Sequence, residues 1–348
     1  MQRLINGTLM PKPLLDLNVA NKIERGPLDV AVSKAPNNAN GTSHVYLYYT
    51  EGKQEGTTKC PDLDKCTKGA ESIGNRLYRC ELTKDGMKLI NPKLILDIPA
   101  TPGPGHNGGK MILDSYNKIF IIIGDVMADR NKVQNCKDGK EPDGTGGILK
   151  IAPDGNSSDV GAIGRKFPLN LHYAYGIRNS FGLDFEPVAG NLWNTENGPT
   201  FGDEINLVRP RFNSGWKDVQ GVRNHDSGMI QSDALDLDGL VDFDGGGKYS
   251  EPEFIGKNTV GPTGIKFFNS DKMGSEFRNS VFVGDIHNRN IYHFDLSNDR
   301  TALLLKGTLA DRIANSSVEV EQKIFAKGLG GITDLEVGPD GYIYSTTW

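Results

Sequence analysis

Short runs of alternating apolar and polar residues, each followed by turn formers and a second apolar run, recur along the whole chain. Leu28-Asp29-Val30-Ala31-Val32 leads through a polar segment to Val45-Tyr46-Leu47-Tyr48-Tyr49. Met111-Ile112-Leu113-Asp114 leads through Ser115-Tyr116-Asn117 to Ile119-Phe120-Ile121-Ile122-Ile123. Phe181, Leu183 and Phe185 alternate into the turn Glu186-Pro187-Val188-Ala189-Gly190, which precedes Asn191-Leu192-Trp193-Asn194-Thr195. Gly264–Phe268 pairs in the same way with Ser280–Gly284, and Thr333–Val337 with Tyr342–Tyr344 across Gly338-Pro339-Asp340-Gly341. Period-two alternation bounded by Gly, Pro, Asn and Asp is the signature of a β-hairpin. Third strands follow several pairs, as at Gly147–Ile151 and Asn290–Phe294.

One strand-turn-strand unit returning at intervals of roughly 60 to 85 residues predicts an all-β fold, a six-bladed β-propeller with loop insertions near residues 51–75, 126–145 and 217–260. A sandwich is the alternative, but it would not repeat a single hairpin so often. The chain opens at Met1-Gln2-Arg3-Leu4 as though inside a strand and stops at Trp348 in mid-blade. The expectation is therefore one propeller domain truncated at both termini, or a ring closed with a thinned blade.

Composition agrees with many short strands and turns: of 348 residues, 43 are Gly and 18 Pro, and hydrophobics make up only 37%. A formal net charge of -5 argues against a nucleic-acid surface. No apolar run approaches the roughly 18 residues of a membrane span. Cys60 and Cys66 bracket a polar loop that a disulfide could close; Cys80 and Cys136 read either as a buried thiol and a loop thiol or as a second disulfide. Four Asn-x-Ser/Thr sequons, at Asn6, Asn40, Asn156 and Asn315, fit an extracellular, periplasmic or cell-surface protein.

The candidate chemistry is concentrated in two stretches. Gly103-Pro104-Gly105-His106-Asn107-Gly108-Gly109-Lys110 presents one imidazole on a loop whose backbone can approach a ligand. Asp125, after the next strand pair, could be a functional carboxylate or a turn former. Tyr175–Trp216 contains Arg178-Asn179 before a strand pair, Glu196-Asn197-Gly198-Pro199 after it, and then Asp203, Glu204 and Asn206, hard oxygen ligands of the kind calcium prefers. The acidic segment 233–254, with Asp233, Asp236, Asp238, Asp242, Asp244 and Glu251, imitates part of an EF-hand, but Leu240 stands at the first ligand position, so it reads as a solvated insertion. Trp193, Trp216 and Trp348 read as fillers between blades.

In order along the chain, HNGGK, ILDSYNKIFIIIGD, YGIRNSFGLDFEP, LWNTENGPTFGDEINLV, NSGW and VGPTGIKF resemble the glucose/sorbosone dehydrogenase family, and the match runs from Glu24-Arg25-Gly26 to GPDGYIY. The resemblance implies a soluble, PQQ-dependent aldose sugar dehydrogenase that oxidises the anomeric carbon to a lactone and passes electrons to an external acceptor. It implies that His106 is the general base and that Arg178 stabilises charge on the quinone. Asn179, Asn197 and Thr259 would lie at the cofactor and Glu24 in the substrate pocket. The carbonyls of Gly198 and Pro199 would hold a Ca²⁺ that also binds PQQ, and Asp203 and Glu204, with the backbone near Ser214, a second, structural Ca²⁺.

The sequence departs from the family where cations embrace the PQQ carboxylates. His287 stands at the lysine position, with Arg289 nearby, and Gly331 and Thr333 replace two arginines. Each charge-assisted bond is worth about 1.5–3 kcal/mol, so Lys110, Lys327 or Arg289 would have to compensate. Two other classes remain open: a non-catalytic, calcium-stabilised binding propeller, and a calcium-dependent, lactonase-like propeller hydrolase.

Overall fold

The structure is a computed structural model that describes residues 1–33, 43–53, 70–128, 131–156, 163–221, 223–224 and 237–348. It is a β-propeller with four full blades. Blade I is formed by Pro27–Val32, His44–Gly52, Ser72–Leu82 and Leu89–Ile98. Blade II is formed by Met111–Leu113, Ile119–Ile123, Gly147–Ile151 and His172–Tyr175. Blade III contains Gly182–Phe185, Leu192–Glu196, Asp203–Val208 and Phe254–Gly256, and blade IV contains Pro262–Phe268, Ser280–Asp285, Ile291–Phe294 and Ile324–Ala326. The hairpin Ile332–Val337 with Ile343–Thr347 packs beside the inner strand of blade IV, and Leu4–Ile5 pairs with Thr8–Leu9 in a separate small hairpin.

All five hairpins read from the sequence are present, within three residues at their ends. Strands buried on both faces read as continuous apolar runs, as in Ile119–Ile123, and half-exposed strands read as alternation, as in Pro27–Val32. In Ile119–Ile123, the side chains of Ile119, Ile121 and Ile123 join Tyr46, Tyr48, Leu77 and Leu96 of blade I, while Phe120 and Ile122 join Leu183 and Leu192 of blade III. Trp193, Ile205, Ile265, Phe267 and Val283 fill the gap between blades III and IV, and Phe268, Phe282, Ile332 and Leu335 the next. Trp193 is thus an interblade filler. Trp348, at 95% exposure, is not.

The edge strands were not legible. Blade II is extended by Phe212–Asn213 and Lys248–Tyr249, and blade III by Ile313–Ala314, all in parallel pairing and all reached by long excursions. Two- and three-residue strands carry no periodicity to read. Cys80 and Cys136 are thiols and form no second disulfide; Cys60, Cys66, Asn40, Asp233 and Asp236 lie outside the described residues.

Ile121 has no exposed surface and no polar partner to rescue its loss. Ile121→Ala is expected to lower unfolding free energy by about 2–5 kcal/mol, read from the midpoint and slope of urea denaturation.

Candidate active site

In an antiparallel hairpin, the start of the first strand and the end of the second lie at the same edge. His106 precedes Met111–Leu113 and Asp125 follows Ile119–Ile123, so the inner hairpin of blade II delivers both to one face. Blade III delivers Arg178 and Asn179 before Gly182–Phe185 and Glu196–Gly198 at the end of its second strand. Blade IV delivers Thr259 and Val260 before Pro262–Phe268, and His287 after Ser280–Asp285.

His106 Nδ1 lies 2.7 Å from Asp125 Oδ1. Asp125 is buried, and its carboxylate also accepts from the Met127 amide at 2.8 Å and from Trp216 Nε1 at 3.0 Å. With the carboxylate acting only as acceptor, Nδ1 carries the proton and Nε2 keeps its lone pair, the tautomer a general base requires. His106 adopts a left-handed φ of 58°. Its carbonyl lies so close to Gly124 that a Cβ there would stand 2.3 Å from it and 2.8 Å from Asn179 Oδ1, so only glycine lets this loop seat.

Arg178 is half-buried, and burial lowers its pKa from the ordinary value. Its guanidinium sits 5.4 Å from the ring of Trp216 and donates to the carbonyls of Asn197 at 3.0 Å and Gly198 at 3.4 Å. Trp216 therefore touches both catalytic candidates, which corrects its reading as filler. Glu24 accepts from the Asn107 amide at 3.0 Å and from Asn179 Nδ2 at 3.3 Å, while Asn179 Oδ1 accepts from the Gly108 amide at 3.2 Å. Asn179 is thus buried as a clamp on the His106 loop. Asn197 donates to the Pro262 carbonyl at 2.9 Å, and its buried Oδ1 has no protein partner.

Asp203 holds loops together. One oxygen accepts from the Gly198 amide at 2.9 Å and the other from the Val260 and Gly261 amides at 2.5 and 3.0 Å. Burial still raises its pKa to about 6. Glu204 and Glu196, by contrast, share the Ser214 hydroxyl, at 3.3 and 2.6 Å. Burial pushes Glu204 up to about 7, and burial together with the charge of Glu204 pushes Glu196 well up. Asn206 and Gln220 donate their amides to Glu204, and the oxygens of both amides lack partners. Two buried carboxyls with unsatisfied amide oxygens beside them form a hard-oxygen set suited to Ca²⁺.

The remaining candidates separate from this core. Thr259 lines a cavity between blades III and IV. His287 and Arg289 are exposed on the loop after Ser280–Asp285, with His287 Nε2 3.5 Å from where a Cβ of Gly261 would stand. Lys110 is held by Asp334 at 2.7 Å, so it is committed to the channel wall. Thr333 bonds Thr346 at 2.7 Å. Among the described residues no cluster of three or more His, Cys, Asp or Glu side chains could hold a metal ion, the acidic segment included; Asp242 and Asp244 are exposed. Asp125 and Glu196 were the residues sequence reasoning underrated. Their common signal is position: each is the acid at the end of a second strand, directly across from a special residue at the start of the first.

Residues 3–347 match the Glucose / Sorbosone dehydrogenase family. The chain belongs to that family. It is 23% identical over 329 residues to the aldose sugar dehydrogenase YliI of Escherichia coli, covering 92% of this chain and 74% of that one. An uncharacterized Synechocystis protein is 25% identical over 315 residues, covering 87% of this chain and 64% of the other, so the chain spans less than two thirds of that relative. The PQQ-bound aldose sugar dehydrogenase of Streptomyces coelicolor superposes with a TM-score of 0.64 at 20% identity, covering 99% of this chain and 81% of that one, a likeness of fold.

The Glu196–Glu204 pair sets a pH dependence. Glu204 rises from 4.5 to about 7 on folding, so across that window the folded protein retains protons that the unfolded chain has released. Stability of metal-free protein therefore falls as pH rises from 4.5 to about 7. Thermal melts should show this slope, Glu204→Gln should flatten it, and added CaCl₂ should raise the melting temperature more at pH 8 than at pH 5.

Proposed function

We propose that this protein is a PQQ-dependent sugar dehydrogenase that oxidises an aldose at its anomeric carbon to the lactone and passes the electrons to an external acceptor. The observation that carries the reading is the His106–Asp125 pair, at 2.7 Å, joined through Trp216 to the Arg178 guanidinium. A base of fixed tautomer beside a desolvated cation suits removal of a hydroxyl proton while negative charge grows nearby. His106 Nε2 takes the proton, Asp125 steadies the imidazolium, and Arg178 faces the developing charge.

The quinone-and-calcium end of the site fits its groups. The carbonyls of Asn197 and Gly198 converge on a cation already, the guanidinium of Arg178, and Asn197 Oδ1 is a buried acceptor without a donor. Gly198 and Pro199 would present carbonyls to a Ca²⁺ shared with PQQ, and Glu196, Glu204 and the Ser214 region would hold a structural one. PQQ, when bound, supplies the quinone that accepts a hydride from the sugar. Asn179 and Glu24 shape the wall beside His106, and the sugar pocket opens there.

At the far end, Gly331, Thr333 and the Lys110–Asp334 pair favour the second reading, a non-catalytic binding propeller. Arg289 and His287 remain on an exposed loop as the cations for the cofactor carboxylates. The sequons support an exported compartment for either reading.

Titration of metal-stripped protein with PQQ, with and without Ca²⁺, followed by dye-linked oxidation of an aldose panel, separates the two. The expected result is calcium-dependent uptake at one PQQ per chain and turnover that falls by roughly 10²–10⁴ in His106→Ala. Absence of binding far above micromolar PQQ would establish the binding propeller instead, and turnover of a lactone without cofactor would establish the hydrolase. Trp216→Phe keeps a ring over Arg178 but removes the donor to Asp125. It should lower kcat/KM by roughly 10- to 100-fold.

A further inference from the structure

A cavity of about 410 Å³ opens between blades III and IV. Its mouth is on the same face as His106 and Arg178, because Asn258 and Thr259 precede the first strand of blade IV while Asn288 and Asn290 follow the second. Below the mouth, Ile205, Phe254, Val283, Phe294 and Ile324 line it, all drawn from the apolar cluster that joins these two blades. The rings of Phe254 and Phe294 stand 5.3 Å apart at 56° and form an aromatic wall. Protein interiors are close-packed, with few voids larger than a water molecule. A space of this size inside an apolar cluster lies within the range of small-molecule sites.

The lining also defines what would enter. It contains no Lys, Arg or His, so nothing there pairs with an anion. Of its three acids, Asp203 is saturated by three backbone amides, Glu204 is engaged by Asn206, Gln220, Ser214 and Gly221, and Glu321 is exposed to solvent. The cationic partner that an aromatic wall attracts is already supplied by Lys323, whose Nζ is 5.5 Å from the Phe294 ring. Polar groups are confined to one end, where Asn290 donates to the Tyr292 hydroxyl at 3.3 Å and Ser316 and Ser317 stand at the rim.

We propose that this cavity is a binding site for a small neutral molecule with a flat aromatic body and one hydroxyl or carbonyl group, of the phenol class. The body lies against Phe254, Val283 and Phe294, and the polar end reaches the asparagines and Tyr292. The site adjoins the candidate active site through one side chain: Asp203 lines the cavity and bonds both the Gly198 turn and the 260–261 loop. An occupant therefore braces the loop that carries Thr259.

The test is calorimetric titration of the whole chain with 2-naphthol, in the absence of PQQ, Ca²⁺ and sugar, so that its outcome is independent of the dehydrogenase reading. Saturable one-to-one binding is expected, with 2-naphthoate and a naphthyl trimethylammonium salt each at least tenfold weaker. Ala314→Phe and Val283→Phe fill the cavity from opposite walls. Each should weaken 2-naphthol at least tenfold while the circular dichroism spectrum and a cooperative melt are retained, and either variant alone suffices if the other misfolds. No saturable binding, equal binding in a folded filled variant, or tighter binding of either charged probe would overturn the proposal.

Discussion

Burial of the inner strands of blades II, III and IV on both faces is the constraint from which the rest of this molecule follows. A strand such as Ile119–Ile123 has no solvent side on which to place polar residues, so polar chemistry is pushed to strand ends. Antiparallel pairing then gathers those ends on one edge of every hairpin. The active-site face is what remains when the interblade clusters have claimed all the strand interiors. His106 and Arg178 precede the first strands of their hairpins, and Asp125 and Glu196 stand at the ends of the second, so all four meet at the same edge.

Carboxylates organise that face, and they do so in two different ways. Asp125 and Asp203 are surrounded by donors: Asp125 by an imidazole, an indole and an amide, Asp203 by three amides. These are positioning groups, and their charge is already answered by the protein. Glu196 and Glu204 also have donors, the Arg178 amide at 2.8 Å and the Ser214 hydroxyl for Glu196 and Asn206, Gln220 and the Gly221 amide for Glu204, but the charge of Glu204 bears on Glu196. They share one hydroxyl, lie beside unsatisfied amide oxygens, and hold protons that exposed glutamates would have lost. A buried acid pair without a counter-charge costs stability near neutral pH, whereas a bound divalent cation converts the same groups into an asset.

The fold was legible because its information is periodic: two-residue alternation, repeated turns and one hairpin recurring. The short parallel edge strands were not, since Phe212–Asn213 or Ile313–Ala314 are defined by what they pair with and not by their own pattern. In the site, His106 and Arg178 were visible through the glycine-rich and Arg-Asn contexts that frame them. Asp125 looked equally like a turn former because its role depends on a histidine 19 residues away and an indole 91 residues away. Trp216 looked like packing because tryptophan usually is packing; only its Nε1–H and the guanidinium over its ring reveal the second task. Asp203 reads as a metal ligand by chemistry, and the structure adds that both its oxygens accept backbone amides.

The last-blade substitutions bear on affinity and chemistry unequally. Gly331 and Thr333 lie at the cofactor-carboxylate end of the family pattern, remote in role from the proton and charge transfers assigned to His106, Asp125 and Arg178. Lys110, a candidate to replace the missing charge, is neutralised by Asp334, and Asp29 nearby is itself raised to about 6 by burial. The channel wall is therefore an ion-paired structural element and offers no spare cation. What is left is exposed Lys327 and the exposed 286–290 loop with His287 and Arg289, whose side chains have solvent to move in. A flexible arginine gains less from a carboxylate than a pre-placed one, because it must lose rotamer freedom on binding. On the proposed dehydrogenase reading, the geometry around His106 is complete while cofactor retention is weakened, so affinity and turnover would be separable.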